Sequence, residues 1–204
     1  AIPHMPYRVS VSYTNENGIL KTSNMERLTG AISLNPNFFD KKLNIQLNVK
    51  GIYNTNRFAD TGAIGMATQY DPTQPIYMDG NPYGNGYFMY MKSGNNPTPV
   101  DIGLANPVSI LDSKHDESTV YRSIGNAQID YKFHFLPELR ANLNLGYDVS
   151  KSEGDVIIED NAPMTWCQGN YKTGFGENSS YYQLKRNTLL DFYLNYAKEF
   201  GAHH

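Results

Sequence analysis

Apolar and polar residues alternate with a period of two along six stretches of this chain. In 7–13, Tyr7, Val9, Val11 and Tyr13 share one face, and Arg8, Ser10 and Ser12 the other. In 26–35, Leu28, Ile32 and Leu34 oppose Thr29, Ala31 and Ser33. The clearest stretch opens at 42, where Leu43, Ile45, Leu47, Val49 and Tyr53 oppose Asn44, Gln46, Asn48, Lys50 and Asn54. Residues 119–135, 139–149 and 181–198 repeat the pattern with Tyr131, Leu143 and Leu190 among the apolar set and Lys132, Asn142 and Asp191 among the polar one. A helix would scatter these sets around its axis, whereas a pleated strand sorts them onto opposite sides. The chain is therefore predicted to be all-β. It should be an antiparallel meander of about six strands near 7–13, 26–35, 42–58, 119–135, 139–149 and 181–198, forming one unit over 1–204.

The connections sharpen this picture. Short turns (PNFFDK, LPE) are expected to alternate with long connections at 14–25, 55–118 and 150–180. Such alternation suits a sheet whose two rims face different compartments, as in a transmembrane β-barrel. A soluble sandwich favours connections of about 2–6 residues throughout. From Leu43 to Tyr53 the apolar face would rise about 28 Å at a tilt near 40°, close to a hydrocarbon core of about 25–30 Å. Aromatic residues gather beside the short turns: Phe38 and Phe39, then Tyr131, Phe133 and Phe135. Barrels place such rings at headgroup level. Six strands fall short of the roughly eight of the smallest bacterial barrels. The segment is thus expected to be part of a barrel wall, with further strands after residue 204. Its two open edges would pair with another copy if it were studied alone.

Composition narrows the function classes. The formal net charge of −3 carries no basic excess, so nucleic-acid binding is not expected. Mean hydropathy is −0.53 and no apolar run reaches helix-spanning length, which excludes a helical membrane protein but not a barrel. The lone Cys167 allows no internal disulfide, and the start AIPHMPYRVS has no export-signal pattern. No nucleotide, zinc-protease, esterase or CxxC motif is present. No cofactor, metal site or catalytic residue is expected, and the chain is not read as an enzyme. Loop carboxylates such as Asp71, Asp79, Asp101, Asp112 and Asp116 lack EF-hand spacing. His203 and His204 would bind metal only as a tag does. A short helix is expected at 61–70, capped by Thr61 and stopped at Asp71-Pro72. Tyr83, Tyr87, Tyr90 and Trp166 are the candidate contacts for a sugar ring or a partner protein. Packing of these rings on one another is the alternative reading.

Several segments resemble the SusC/RagA family of TonB-dependent outer-membrane transporters. They are PYRVSVSYTNENGIL (6–20), RFADTGAIG (57–65), NPVSIL (106–111), IDYKFHFLPELRANLNLGYD (129–148) and NTLLDFYLNYAKEFG (187–201). The resemblance implies a barrel of about 22 strands with an internal plug. It also implies a SusD-like surface lipoprotein as lid, TonB as energy source, and glycan or peptide cargo taken up across the outer membrane of a Bacteroidetes-type bacterium. No plug domain or TonB box is recognisable in these residues, so no transport residue is carried over. A soluble β-sandwich carbohydrate-binding or interaction module is the competing expectation.

Overall fold

The computed structural model describes residues 5–167 and 173–198. Their architecture is one antiparallel sheet with β1 (Tyr7–Asn17), β2 (Asn24–Leu34), the two-residue β3 (Asn37–Phe38), β4 (Leu43–Phe58), β5 (Lys114–Lys132), β6 (Leu139–Ile158) and β7 (Glu177–Tyr196). The order is β1-β2-β4-β5-β6-β7, with β3 paired to β4 beside its turn. Every long strand therefore lies next to its sequence neighbour, as the meander reading requires. Three short helices, α1 (Gly62–Gln69), α2 (Pro107–Ser113) and α3 (Met164–Cys167), sit in the connections. His203 and His204 lie outside the described residues.

The strands are longer than the alternation alone implies. β5 starts at Lys114 rather than 119, β6 runs to Ile158 rather than 149, and β7 begins at Glu177 rather than 181. The additions to β5 and β7 are polar on both sides, with Glu117 backing onto Asp116 and Ser118, and β6 adds a polar run before Val156, Ile157 and Ile158. Ladder hydrogen bonds hold them without any apolar periodicity to announce them. The expected long connection 14–25 is a correction. β1 reaches Asn17 and β2 opens at Asn24, with Gly18 N–H bonded to the Ser23 carbonyl at 2.9 Å. Asn24 Nδ2 clips this polar end through Asn15 Oδ1 (2.9 Å) and Asn17 Oδ1 (3.0 Å). β5 also ends at Lys132, so Phe133 and Phe135 belong to the turn rather than to the strand.

Register makes the two faces continuous. Tyr13, Leu28, Tyr53 and Tyr121 form one cross-strand row, and Val9, Ile32 and Val49 form another on the same side. That side is uncovered: Val11 is 73% and Leu190 69% exposed. A sandwich would bury it under a second sheet, and none exists among the described residues. Tyr147 lies across Gly125, where a Cβ would come within 2.3 Å of its ring, so an aromatic fills the gap the glycine leaves.

The apolar side extends across all six long strands. Toward the long-connection rim one register row carries Tyr13, Leu28, Tyr53, Tyr121 and, past Lys151 on β6, Leu184 on β7.

Candidate functional site

The buried core of the molecule lies in the connections of one rim, not in the sheet. Ala63, Ala105, Ile110, Ile158, Ala162 and Met164 form a cluster, with Met66, Leu111 and Cys167 against it. Ile158 is buried while its neighbour Ile157 is 41% exposed on the opposite side. Ile158 shares its sheet face with Asp148 and Asn144, so the cap formed by 59–113, 159–167 and 173–176 folds over the polar side.

Asparagines build the cap. Asn106 caps α2: its Oδ1 accepts from the N–H groups of Val108 (3.0 Å) and Ser109 (3.4 Å), with proline following at the first helical position. Its Nδ2 donates to the Ile76 carbonyl at 2.8 Å. Asn161, in a left-handed conformation at φ 61°, joins the two long connections. Its Nδ2 donates to the Pro82 carbonyl (3.0 Å), its own carbonyl accepts from Gly84 N–H (3.0 Å), and its Oδ1 accepts from Trp166 Nε1 (2.9 Å). The expected helix near 61–70 is present as α1, but Thr61 makes no side-chain cap bond. Asp60 does that work, accepting from Gly62 N–H at 2.7 Å. Neither Asn106 nor Asn161 was singled out from sequence, although Asn106-Pro107 is a helix-start signal.

The four candidate aromatics lie in this cap but form no common platform. Tyr83 meets Trp166 edge-on at 5.0 Å. Tyr87 stacks near Tyr77 at 5.3 Å, and its hydroxyl donates to Asp112 Oδ2 at 3.0 Å. Tyr90 sits between Phe88 (5.3 Å) and Tyr70 (5.9 Å). Burial, with help from Asp112, pushes the Tyr87 hydroxyl up to about 12. Asp112 also takes Lys21 Nζ at 2.7 Å, and Thr22 Oγ1 donates to the Leu111 carbonyl, so the tight turn 18–23 is tied to the cap. Burial raises the Cys167 thiol to about 11, and its Sγ lies 2.9 Å from the Pro163 carbonyl.

Asp60 anchors the cap to the sheet through Lys114 Nζ at 2.9 Å. Burial would raise its carboxyl, but the Lys114 hydrogen bond, the Gly62 N–H and the lysine charge together lower it. A lowered folded-state value means the stabilisation is complete above the ordinary carboxylate range, about pH 4, and is lost as pH falls through the lowered value. Protease nicking of 59–113 is therefore expected to rise in that acid window. Asp60→Asn should remove the dependence and weaken the cap by about 1–2 kcal/mol at pH 7. A flat profile in the unmodified protein would count against this anchor.

The polar face of the sheet carries the second constellation. Ser33, Asn48, Asn126 and Gly146 share one row; Lys50, Ile124, Asp148 and Asn187 share the next. Arg122 clasps Asp148 with Nε at 2.9 Å and Nη2 at 2.6 Å, a two-point guanidinium–carboxylate contact. Arg140 approaches Asp130 at 3.9 Å. Among the described residues no group of three or more His, Cys, Asp or Glu side chains is placed to hold a metal.

An antiparallel wall with one uncovered apolar face and one polar face, capped on one rim, is a segment of a transmembrane β-barrel. No family model matches the chain. It is 37% identical over 209 aligned positions to the TonB-dependent receptor SusC of Bacteroides thetaiotaomicron. That match covers 98% of this chain and 20% of the receptor, so the chain spans about a fifth of the length of the curated relative it matches. The match supports the SusC family for this chain, as a fragment, in line with the quoted segments.

Proposed function

We propose that this chain is a wall segment of an outer-membrane nutrient importer. Its apolar side faces lipid, its polar side lines the passage, and the cap of 59–113, 159–167 and 173–176 stands outside the cell over the mouth. The single observation behind this is the uncovered apolar face, extending over six strands and backed by a polar face. The family likeness supports uptake rather than catalysis, with glycan or peptide as cargo. It supports TonB and a SusD-like lipoprotein as partners of the complete receptor. Tyr83, Tyr87, Tyr90 and Trp166 then shape the cap. Tyr77 and Phe175, 60% and 71% exposed, are better placed to touch a solute or lid.

Single cysteines introduced into the complete receptor test the orientation. The native Cys167, half-buried and with its thiol raised to about 11, adds little labelling at neutral pH. Asn95→Cys on the cap should react with an impermeant maleimide in intact cells. Pro137→Cys in the opposite turn should react only once the outer membrane is opened. Deleting the gene should abolish energy-dependent uptake of an oligosaccharide or peptide mixture. Equal labelling at both positions, or unchanged uptake, overturns the reading.

A further inference from the structure

On the polar face, cations gather at mid-height. Arg8 stands opposite Ser33 in the row that runs on through Asn48 and Asn126. Lys50 stands one row further, and Arg122, Ser150 and Lys185 share the row after that. Asp148 neutralises Arg122. Arg8, Lys50 and Lys185 have no carboxylate within ion-pair distance among the described residues. Apart from Asp148, which shares the row of Lys50 two strands away, the acidic residues of this face lie away from them. Glu16 and Asp116 are toward the capped rim, and Asp130 and Asp191 toward the short-turn rim.

Arg8 and Lys50 border one hollow of about 420 Å³ whose wall also carries Ser10, Ser33, Asn48 and Asn126. Its polar groups are two full cations, two hydroxyls and two amides, with no carboxylate, set among the apolar Ala31, Ile32, Val49 and Ile124. Ser33 Oγ donates to Asn48 Oδ1 at 2.5 Å; with that bond turned over, the hydroxyl and amide N–H groups can donate to an oxyanion, and the cations supply charge-assisted bonds. Inside a pore, rings of Arg and Lys favour anions, and low-dielectric walls concentrate their field.

We propose that this hollow is a subsite for an anionic group, a carboxylate or sulfate, on a solute passing through the barrel. The proposal rests on reading the chain as the wall of an importer and narrows its cargo to charged solutes. Arg8 and Lys50 hold the anion, Ser10, Ser33, Asn48 and Asn126 complete its hydrogen bonds, and Lys185 draws it along the wall.

The test is calorimetric binding to the purified complete receptor with three probes: an oligogalacturonide, a glutamate-rich oligopeptide and a neutral malto-oligosaccharide. One anionic probe should bind with an affinity that falls as salt rises, and which of the two binds identifies the source of the carboxylate. The double variant Arg8→Gln, Lys50→Gln should weaken that probe by about tenfold or more. The charge-keeping pair Arg8→Lys, Lys50→Arg should restore most of the affinity, which separates charge from folding. Arg186→Gln changes a cation on the other face and should leave binding unchanged. The proposal is overturned if neither anionic probe binds, if the neutral one binds as tightly, or if the double variant binds like the parent. It is equally overturned if the double variant loses neutral and anionic probes together, as it would if the cations held an acidic part of the receptor itself. Import without anion preference would sink this subsite alone, whereas loss of import altogether speaks to the proposed function.

Discussion

Leu145→Arg in the complete receptor is expected to destabilise the barrel by about 2–4 kcal/mol, while Asn144→Arg, one residue away, should change stability by less than about 1 kcal/mol. Leu145 lies near the centre of the apolar stretch of β6, in a row with Leu47, Ala127 and Leu190. An arginine there has hydrocarbon on all sides and is too deep for its head to reach water cheaply. Asn144 points to the other side, between Gln128 and Asp191, where a guanidinium finds water and a carboxylate. The contrast comes from the pleat alone, because the two residues share backbone, strand and depth. Urea titration of the receptor folded into lipid vesicles reads both values. Similar costs at the two sites would mean that the faces have been assigned wrongly or that neither meets lipid.

The sheet was legible because its energetics are periodic. Wherever one side must be apolar and the other polar, as from Leu43 to Tyr53, the sequence shows it and the strand follows. Legibility ended where both sides are polar. Thr14–Asn17 and Asn24–Arg27 pair through backbone bonds and asparagine clips, so no hydrophobic signal marked them. The cap was hidden for a different reason. Its core is small, made of alanines, Ile110, Ile158 and Met164, and its shape comes from side-chain-to-backbone bonds between distant segments, such as Asn161 to Pro82. Nothing in local sequence says which carbonyl an asparagine will find. The aromatics were visible as residues but not as an arrangement. Tyr83, Tyr87 and Tyr90 fall within one short stretch, yet each takes a different partner.

Asn106→Ala should cost the cap about 2 kcal/mol and leave the sheet paired. The side chain is 2% exposed, so water cannot replace what is lost. Two amides at the start of α2 lose their acceptor, which costs about 0.5–2 kcal/mol as a helix cap. The Ile76 carbonyl loses one of its two donors and keeps Phe88 N–H at 3.0 Å, which adds about 0.5–1.5 kcal/mol. Asn106→Ser should recover the cap term only, since a serine hydroxyl accepts from the helix start but is too short to reach Ile76 as well. Hydrogen exchange across 59–113 separates the contributions. Protection of the Val108 and Ser109 amides should return in the serine variant, while the segment around Ile76 and Phe88 should stay fast. The β5–β6 ladder should keep its protection in both variants. Its pairing of Ala127 with Leu145 and of Ile129 with Leu143 lies on the apolar side, away from the cap. If protection fell evenly through cap and sheet, the two would be one cooperative unit. A cap that yields by itself leaves intact the wall that carries it.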